Sequence, residues 1–213
     1  MKVAAEFVTS AAGAEGLPKD GLPEIAVVGR SNVGKSSLIN ALVRKKLART
    51  SAAPGKTRLA NFYRVAVEGR SPFYLVDLPG YGYARAPRQA QGGAGSAEDR
   101  RRQAAEEFDA LAAAYFGNRV SDPRFRGVFV LVDSRHPGLD IDRSAWHWLE
   151  RLGVHAHVVA TKIDKLTRSE RQRHLAELEK VYSRPVTPSS ADTGEGLDQL
   201  WKTIASLTIP ARQ

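Results

Sequence analysis

Short apolar runs alternate along this chain with stretches whose apolar residues recur at helical spacing. Ile25-Ala26-Val27-Val28 has the length and β-branched content of a buried strand, and Leu38, Ile39, Leu42 and Val43 mark one face of a helix predicted over 35–44. Phe62, Val65 and Val67 alternate in part within 61–68, and 73–76 is apolar throughout. The Glu68-Gly69-Arg70-Ser71-Pro72 stretch between them predicts a hairpin turn. Further strands are predicted over 127–132, 154–160 and 186–187, and helices over 97–116, 141–152, 168–181 and 196–207.

Strands and helices in alternation predict an α/β fold, a mostly parallel six-stranded sheet with helices on both faces. Glu6-Phe7-Val8 is a candidate short edge strand within a lead-in, 1–22, that is otherwise irregular; 23–213 reads as a single domain. The 81–97 stretch, with Pro87 and Gly92-Gly93-Ala94-Gly95-Ser96, is the least patterned part and is expected to be mobile without a ligand. In such a sheet ligands lie beyond the carboxyl ends of the strands, and the chain's polar motifs fall at those ends.

Gly29-Arg30-Ser31-Asn32-Val33-Gly34-Lys35-Ser36 fits G-x-x-x-x-G-K-[ST] between a predicted strand and a predicted helix, the context that distinguishes a phosphate-binding loop from a chance match. Its glycines let successive backbone N–H groups turn inward toward a phosphate chain, and the following helix adds partial positive charge there. Lys35 can reach the terminal phosphates, the Ser36 hydroxyl can bind Mg²⁺, and Ser37 continues the cradle.

Asp77 in Asp77-Leu78-Pro79-Gly80 ends an apolar strand, where its carboxylate can hold Mg²⁺ and the Gly80 N–H can approach a terminal phosphate. Within Gly55-Lys56-Thr57-Arg58-Leu59, Thr57 is preferred over Thr50 and Ser51 as a further Mg²⁺ ligand and γ-phosphate sensor, because a Pro54-Gly55 turn and a basic pair flank it. Thr161-Lys162-Ile163-Asp164 selects the base: the Asp164 carboxylate can accept from guanine N1–H and its 2-amino group, whereas adenine would set a lone pair against it. The Lys162 stem can lie over the base, and Ser189-Ser190-Ala191 can offer a backbone N–H to guanine O6. The ligand expected from these residues is GTP or GDP.

Thirty-two Lys and Arg against 23 Asp and Glu give a net charge of +9, which favours an anionic macromolecular partner through counterion release. Cysteine is absent, so disulfides and thiolate metal sites are excluded. No apolar run approaches the ~18 residues of a membrane span, and 1–21 lacks the apolar core of a secretory signal; a cytoplasmic location is expected. Trp146, Trp148 and Trp201 fall within predicted helices and read as packing residues; His136, on a loop, reads as no general base.

The phosphate loop extended to Ser37-Leu38-Ile39-Asn40, the Pro54-Gly55-Lys56-Thr57 segment and Asp77-Leu78-Pro79-Gly80-Tyr81-Gly82-Tyr83-Ala84 together resemble the translation-factor-related GTPases. With Asp133-Ser134-Arg135-His136 and Thr161-Lys162-Ile163-Asp164-Lys165-Leu166, the chain resembles more closely the EngB (YihA/YsxC) ribosome-biogenesis GTPases. The resemblance implies a monomeric Mg²⁺-dependent GTPase acting in large ribosomal subunit assembly and needed for normal cell division and septation. A nucleotide-gated interaction module in cell division is the alternative. The chain departs from the family pattern at Arg58, where a glutamine is common, and in a glycine-rich insertion over 89–99. Lys35, Thr57, Gly80 and Asn32 are the candidate catalytic residues, and Tyr81 replaces the water-orienting glutamine often found after DxxG, which implies slow turnover. In related GTPases an asparagine placed like Asn32 ligates K⁺ beside the phosphates. Arg85, Arg88 and Arg100-Arg101-Arg102 are candidate RNA contacts.

Overall fold

The computed structural model describes residues 2–11, 16–48, 59–81, 113, 115–117 and 119–208. Its strands are β1 (Val3–Ala11), β2 (Glu24–Gly29), β3 (Ala60–Val67), β4 (Phe73–Asp77), β5 (Phe125–Asp133), β6 (Ala156–Thr161) and β7 (Val186–Pro188). The helices are α1 (Lys35–Val43), α2 (Asp140–Arg151), α3 (Arg168–Tyr182) and α4 (Leu197–Thr208), with a short 3-10 turn at Ile163–Lys165. The helix expected over 97–116 falls outside the described residues except at its end, as do Arg85, Arg88 and Arg100 to Arg102.

The strands form one sheet in the order β1-β3-β4-β2-β5-β6-β7. The β2/β4, β2/β5, β5/β6 and β6/β7 pairs are parallel, whereas β1/β3 and the β3/β4 hairpin are antiparallel. The sheet thus has seven strands rather than six, because the expected irregular lead-in over 1–22 contains a nine-residue strand. An edge strand pairs along one side only, and β1 is largely half-exposed or exposed, so it carries no apolar run to announce it. Its register with β3 shifts between Phe7 and Thr9, which bulges Val8 out of the ladder.

Alternation along the strands sends side chains to two cores. Ile25, Val27, Phe129 and Leu131 meet Leu38, Ile39 and Leu42 of α1 and Leu200 and Ile204 of α4 on one face. Ala26, Val28, Val128, Val130 and Val132 meet Trp146 and Leu149 of α2 and Leu178 and Tyr182 of α3 on the other. Trp146 packs edge-to-face on Tyr182, Trp148 lies against Phe116, and Trp201 meets Phe73, so the tryptophans are packing residues.

This topology positions the site. Strand β2 lies between β4 on one side and β5 on the other. The chain continues to β3 and β4 on one side before crossing to β5 on the other, which makes the carboxyl end of β2 the switch point of the sheet. Parallel pairing brings the ends of β4, β5, β6 and β7 to the same edge. The antiparallel β3 begins there, with Asn61 opposite Asp77.

Candidate functional site

The loop from Gly29 to Gly34 turns directly from β2 into α1. Gly29 allows close approach: a Cβ there would stand 2.8 Å from Leu131 O and 2.9 Å from Val33 Cγ1. Asn32, exposed, takes a left-handed conformation at φ 62°, while Val33 is buried beneath the loop. Helix α1 begins after Gly34 with no side-chain cap and no acidic residue in its first turn, so its leading N–H groups have no competitor for an anion.

Two charged groups are buried under this loop. Lys35 donates from Nζ to Gly29 O at 3.0 Å and reaches Arg30 O at 3.5 Å. Burial pushes its ammonium below the ordinary lysine value, with Asp77 pulling the other way. Burial likewise pushes the Asp77 carboxyl up to about 6, against Lys35 and the Ser36 hydroxyl. Ser36 Oγ donates to Asp77 Oδ2 at 3.4 Å, and Asp77 Oδ1 is buried with no hydrogen-bond partner. Each charge is desolvated beyond what its neighbours compensate, a deficit that phosphate oxygens on Lys35 and a divalent cation on Asp77 would remove.

Ser36 and Asp77 are the residues that would hold Mg²⁺, which supplies charge neutralisation on phosphate oxygens when bound. Two hard oxygen donors, one of them orphaned, suit an ion that keeps water and substrate-phosphate ligands. No larger cluster of His, Cys, Asp and Glu suited to a metal occurs among the described residues. Thr57, the third expected ligand, lies outside the described residues with Gly55, Lys56 and Arg58; Leu59 is exposed just before β3.

The Asp77-Leu78-Pro79-Gly80 turn is tied to the loop. Leu78 N–H donates to Val27 O at 3.1 Å, Ser31 Oγ donates to Gly80 O at 3.3 Å, and Leu78 and Pro79 are buried. Tyr81, expected where a water-orienting glutamine is common, instead turns its buried hydroxyl away to donate to Asp142 Oδ1 at 2.9 Å.

The base side is built from β6 and β7. Thr161, buried, donates from Oγ1 to Val33 O at 2.7 Å, with Val132 O at 3.1 Å, and so staples the phosphate loop to the end of β6. Lys162, left-handed at φ 60°, donates from Nζ to Asn32 O at 2.6 Å and to Asp133 Oδ2 at 3.0 Å. Its stem therefore spans from the end of β6 to the phosphate loop. Burial alone would raise the Asp133 carboxyl, but hydrogen bonds from Arg135 and Lys162 hold it well below the usual carboxylate range.

Hydrogen bonds from Lys165 and Ser190 also hold Asp164 below its ordinary value, so it stays ionised and acceptor-only. Ser190 donates to Asp164 Oδ1 at 2.6 Å, while Ile163 is buried and its N–H reaches Ser189 O at 3.4 Å. Of the three N–H groups expected near guanine O6, two are engaged: Ser189 donates to Ala160 O at 2.8 Å and Ser190 to Glu195 O at 3.0 Å. The turn through Glu195 folds back on Ser190, so these two N–H groups are already committed within the protein.

Sequence reasoning missed Asp142 and the ionic contacts of Arg30, which lies 3.9 Å from both Asp133 and Asp142. The signal was present: Asp142 shares the buried face of α2 with Ala145, Trp146 and Leu149, a carboxylate at a core position of an amphipathic helix. His136 is exposed on the loop after β5, and only its backbone N–H bonds to Asp133 O.

The Thr161 staple carries a measurable share of stability. Thr161→Val keeps the shape and removes the donor, leaving Val33 O buried without its 2.7 Å partner. A loss of about 1–2 kcal/mol in urea unfolding is expected. An unchanged midpoint and slope would show that the staple contributes nothing.

A phosphate loop at the switch point, a carboxylate at the neighbouring strand end and a guanine-shaped acceptor two strands away define a P-loop GTPase. The family model described as "50S ribosome-binding GTPase" matches residues 24–184. The probable GTP-binding protein EngB of Pelotomaculum thermopropionicum is 43% identical over 206 residues, covering 94% of this chain and 93% of that protein. Its counterpart from Solibacter usitatus is 43% identical over 209 residues, covering 98% and 97%. The chain belongs to the EngB GTP-binding proteins and is a GTPase. Two solved structures share the fold. A probable GTP-binding protein EngB matches with a TM-score of 0.60 at 22% identity, over 87% of this chain and 98% of that one. Era in complex with MgGDPNP and nucleotides 1506–1542 of 16S ribosomal RNA matches with 0.64 at 22%, over 90% and 58%.

Proposed function

We propose that this GTPase is a switch in large ribosomal subunit assembly, cytoplasmic and monomeric, with 23–213 acting as one domain. Effects on cell division and septation follow from that role. The observation that carries the nucleotide reading is the pair of uncompensated buried charges, Lys35 and Asp77, at the sheet edge that also presents Asp164. The ribosomal reading is supported by the description of the matching family and by the +9 net charge.

In this reading the backbone of Gly29 to Gly34, Lys35 and the start of α1, with Ser36 and Ser37, hold the phosphates. Ser36, Asp77 and Thr57 hold Mg²⁺. Asp164 reads guanine N1–H and the 2-amino group, Lys162 flanks the base, and Ala191 N–H meets O6. Thr57 and Gly80 sense the γ-phosphate.

Co-sedimentation with isolated ribosomal subunits in GTP and in GDP, across a salt series, tests the ribosomal role. Nucleotide-dependent association with the large subunit that weakens with salt is expected. Association indifferent to both nucleotide and salt would favour a protein-interaction module instead.

Tyr81 commits its hydroxyl to Asp142, which supports slow hydrolysis by the isolated protein. Asn32, exposed beside the phosphate path, is proposed to ligate K⁺ as a cationic supplement. Single-turnover hydrolysis is then faster in K⁺ than in Na⁺ for the natural chain and equal in both for Asn32→Ala. Equal rates in the two ions for the natural chain would remove potassium from the reaction.

A further inference from the structure

The residue after DxxG is held at both ends. Tyr81 O accepts from Ser31 N–H at 2.9 Å, within a parallel bridge between Arg30 and Tyr81. A Cβ added to Gly80 would stand 2.8 Å from Lys35 Nζ and 2.8 Å from Ser31 Oγ, so Gly80 is packed onto the lysine with no gap for a phosphoryl group. Lys35 meanwhile bonds back to Gly29 O and Arg30 O.

At its other end Tyr81 places a 3% exposed side chain under α2, where the hydroxyl donates to Asp142 Oδ1 at 2.9 Å. Arg30 Nε stands 3.9 Å from Asp142 Oδ2, and its Nη2 stands 3.9 Å from Asp133 Oδ2. One loop residue thus lies between the carboxylate that braces Lys162 and the carboxylate that holds Tyr81. Arg30 Nε and Asp142 Oδ2 are buried and lack closer partners, so this contact has room to tighten or to part.

We propose that the Tyr81–Asp142 hydrogen bond is a latch that holds Gly80 and Tyr81 down on the phosphate loop and makes the resting site select a nucleoside diphosphate over a triphosphate. This rests on the guanine-nucleotide reading of the pocket. A diphosphate occupies the loop with the latch closed. A γ-phosphoryl group needs the space between Lys35 Nζ and Gly80, and the Tyr81 O–Ser31 N–H bond helps hold that space closed. Making that space lifts the Gly80–Tyr81 backbone and pulls the buried hydroxyl from Asp142. The strength of that hydrogen bond therefore sets the difference between the two affinities, because a ligand moves an equilibrium only by its differential affinity for the two states.

The test is a fluorescence titration of GDP and of a non-hydrolysable GTP analogue, with Mg²⁺, on the natural chain, Tyr81→Phe, Asp142→Ala and the double variant. Tyr81→Phe keeps the ring in its seat and removes the hydroxyl alone. It is expected to raise the triphosphate-to-diphosphate affinity ratio about tenfold while GDP affinity stays within about twofold. The double variant is expected to add nothing further. An unmoved ratio in Tyr81→Phe, or a ratio moved only by a fall in GDP affinity, would overturn the latch. If Asp142→Ala does not fold, Tyr81→Phe alone decides, and its GDP affinity certifies its fold. A natural chain that binds neither nucleotide would overturn the guanine-nucleotide reading instead.

Discussion

Asp164→Asn is expected to lose about 10²- to 10⁴-fold in affinity for GTP and GDP and to gain affinity for xanthine nucleotides. The carboxylate presents two acceptors, which match the two donors of guanine, N1–H and the 2-amino group. Asparagine presents one acceptor and one donor, so one pair becomes donor against donor. Two charge-assisted hydrogen bonds at about 1.5–3 kcal/mol each set the size of the loss. Xanthine carries a carbonyl in place of the 2-amino group, so the asparagine amide has a partner there. Ser190 Oγ still has Oδ1 to donate to, at 2.6 Å in the natural chain, so the loop after β7 should keep its place. Competition of labelled GDP with unlabelled guanine, xanthine and adenine nucleotides reads the change. Equal losses for every base would mean that Asp164 holds the loop rather than the base.

The parts of the fold that bury both faces were legible, because β2, β4, β5 and β6 read as apolar runs and α1 and α4 as helical stripes. Strand β1 was legible only as a three-residue candidate at Glu6 to Val8, and its full length over Val3–Ala11 was not, because it is held by backbone pairing along one side. At the site, the motif pointed to Lys35, Asp77 and Asp164, since phosphate, metal and guanine each demand a particular charge at a particular strand end. The Arg30–Asp142–Tyr81 contact was not legible: its members are brought together by the packing of α2 against the sheet, which no spacing along the chain encodes. The same holds for the N–H groups of Ser189 and Ser190, whose engagement by Ala160 O and Glu195 O depends on how the loop after β7 folds back.

Lys35→Ala is expected to abolish tight nucleotide binding while leaving the fold of the ligand-free protein nearly unchanged in stability. In the free protein the buried ammonium bonds only to Gly29 O and Arg30 O, and its lowered pKa shows that burial outweighs the help from Asp77. Removing it relieves that desolvation and costs two neutral acceptors a charged donor, terms that oppose each other. In the bound state the same ammonium would face phosphate oxygens in a buried site, where losing one partner of a charge pair costs about 3–5 kcal/mol. The affinity loss is thus about 10²- to 10³-fold or more, for GDP as well as GTP. Thermal unfolding with and without GDP separates the two effects. At a GDP concentration about a thousandfold above its Kd, binding adds about 4 kcal/mol to the natural chain. That increment should fall to about 0.4–1.4 kcal/mol or less in Lys35→Ala at the same GDP concentration, while the ligand-free midpoints stay close. An undiminished GDP-induced rise in the variant would show that the loop amides and the α1 N-terminus hold the phosphates without the lysine.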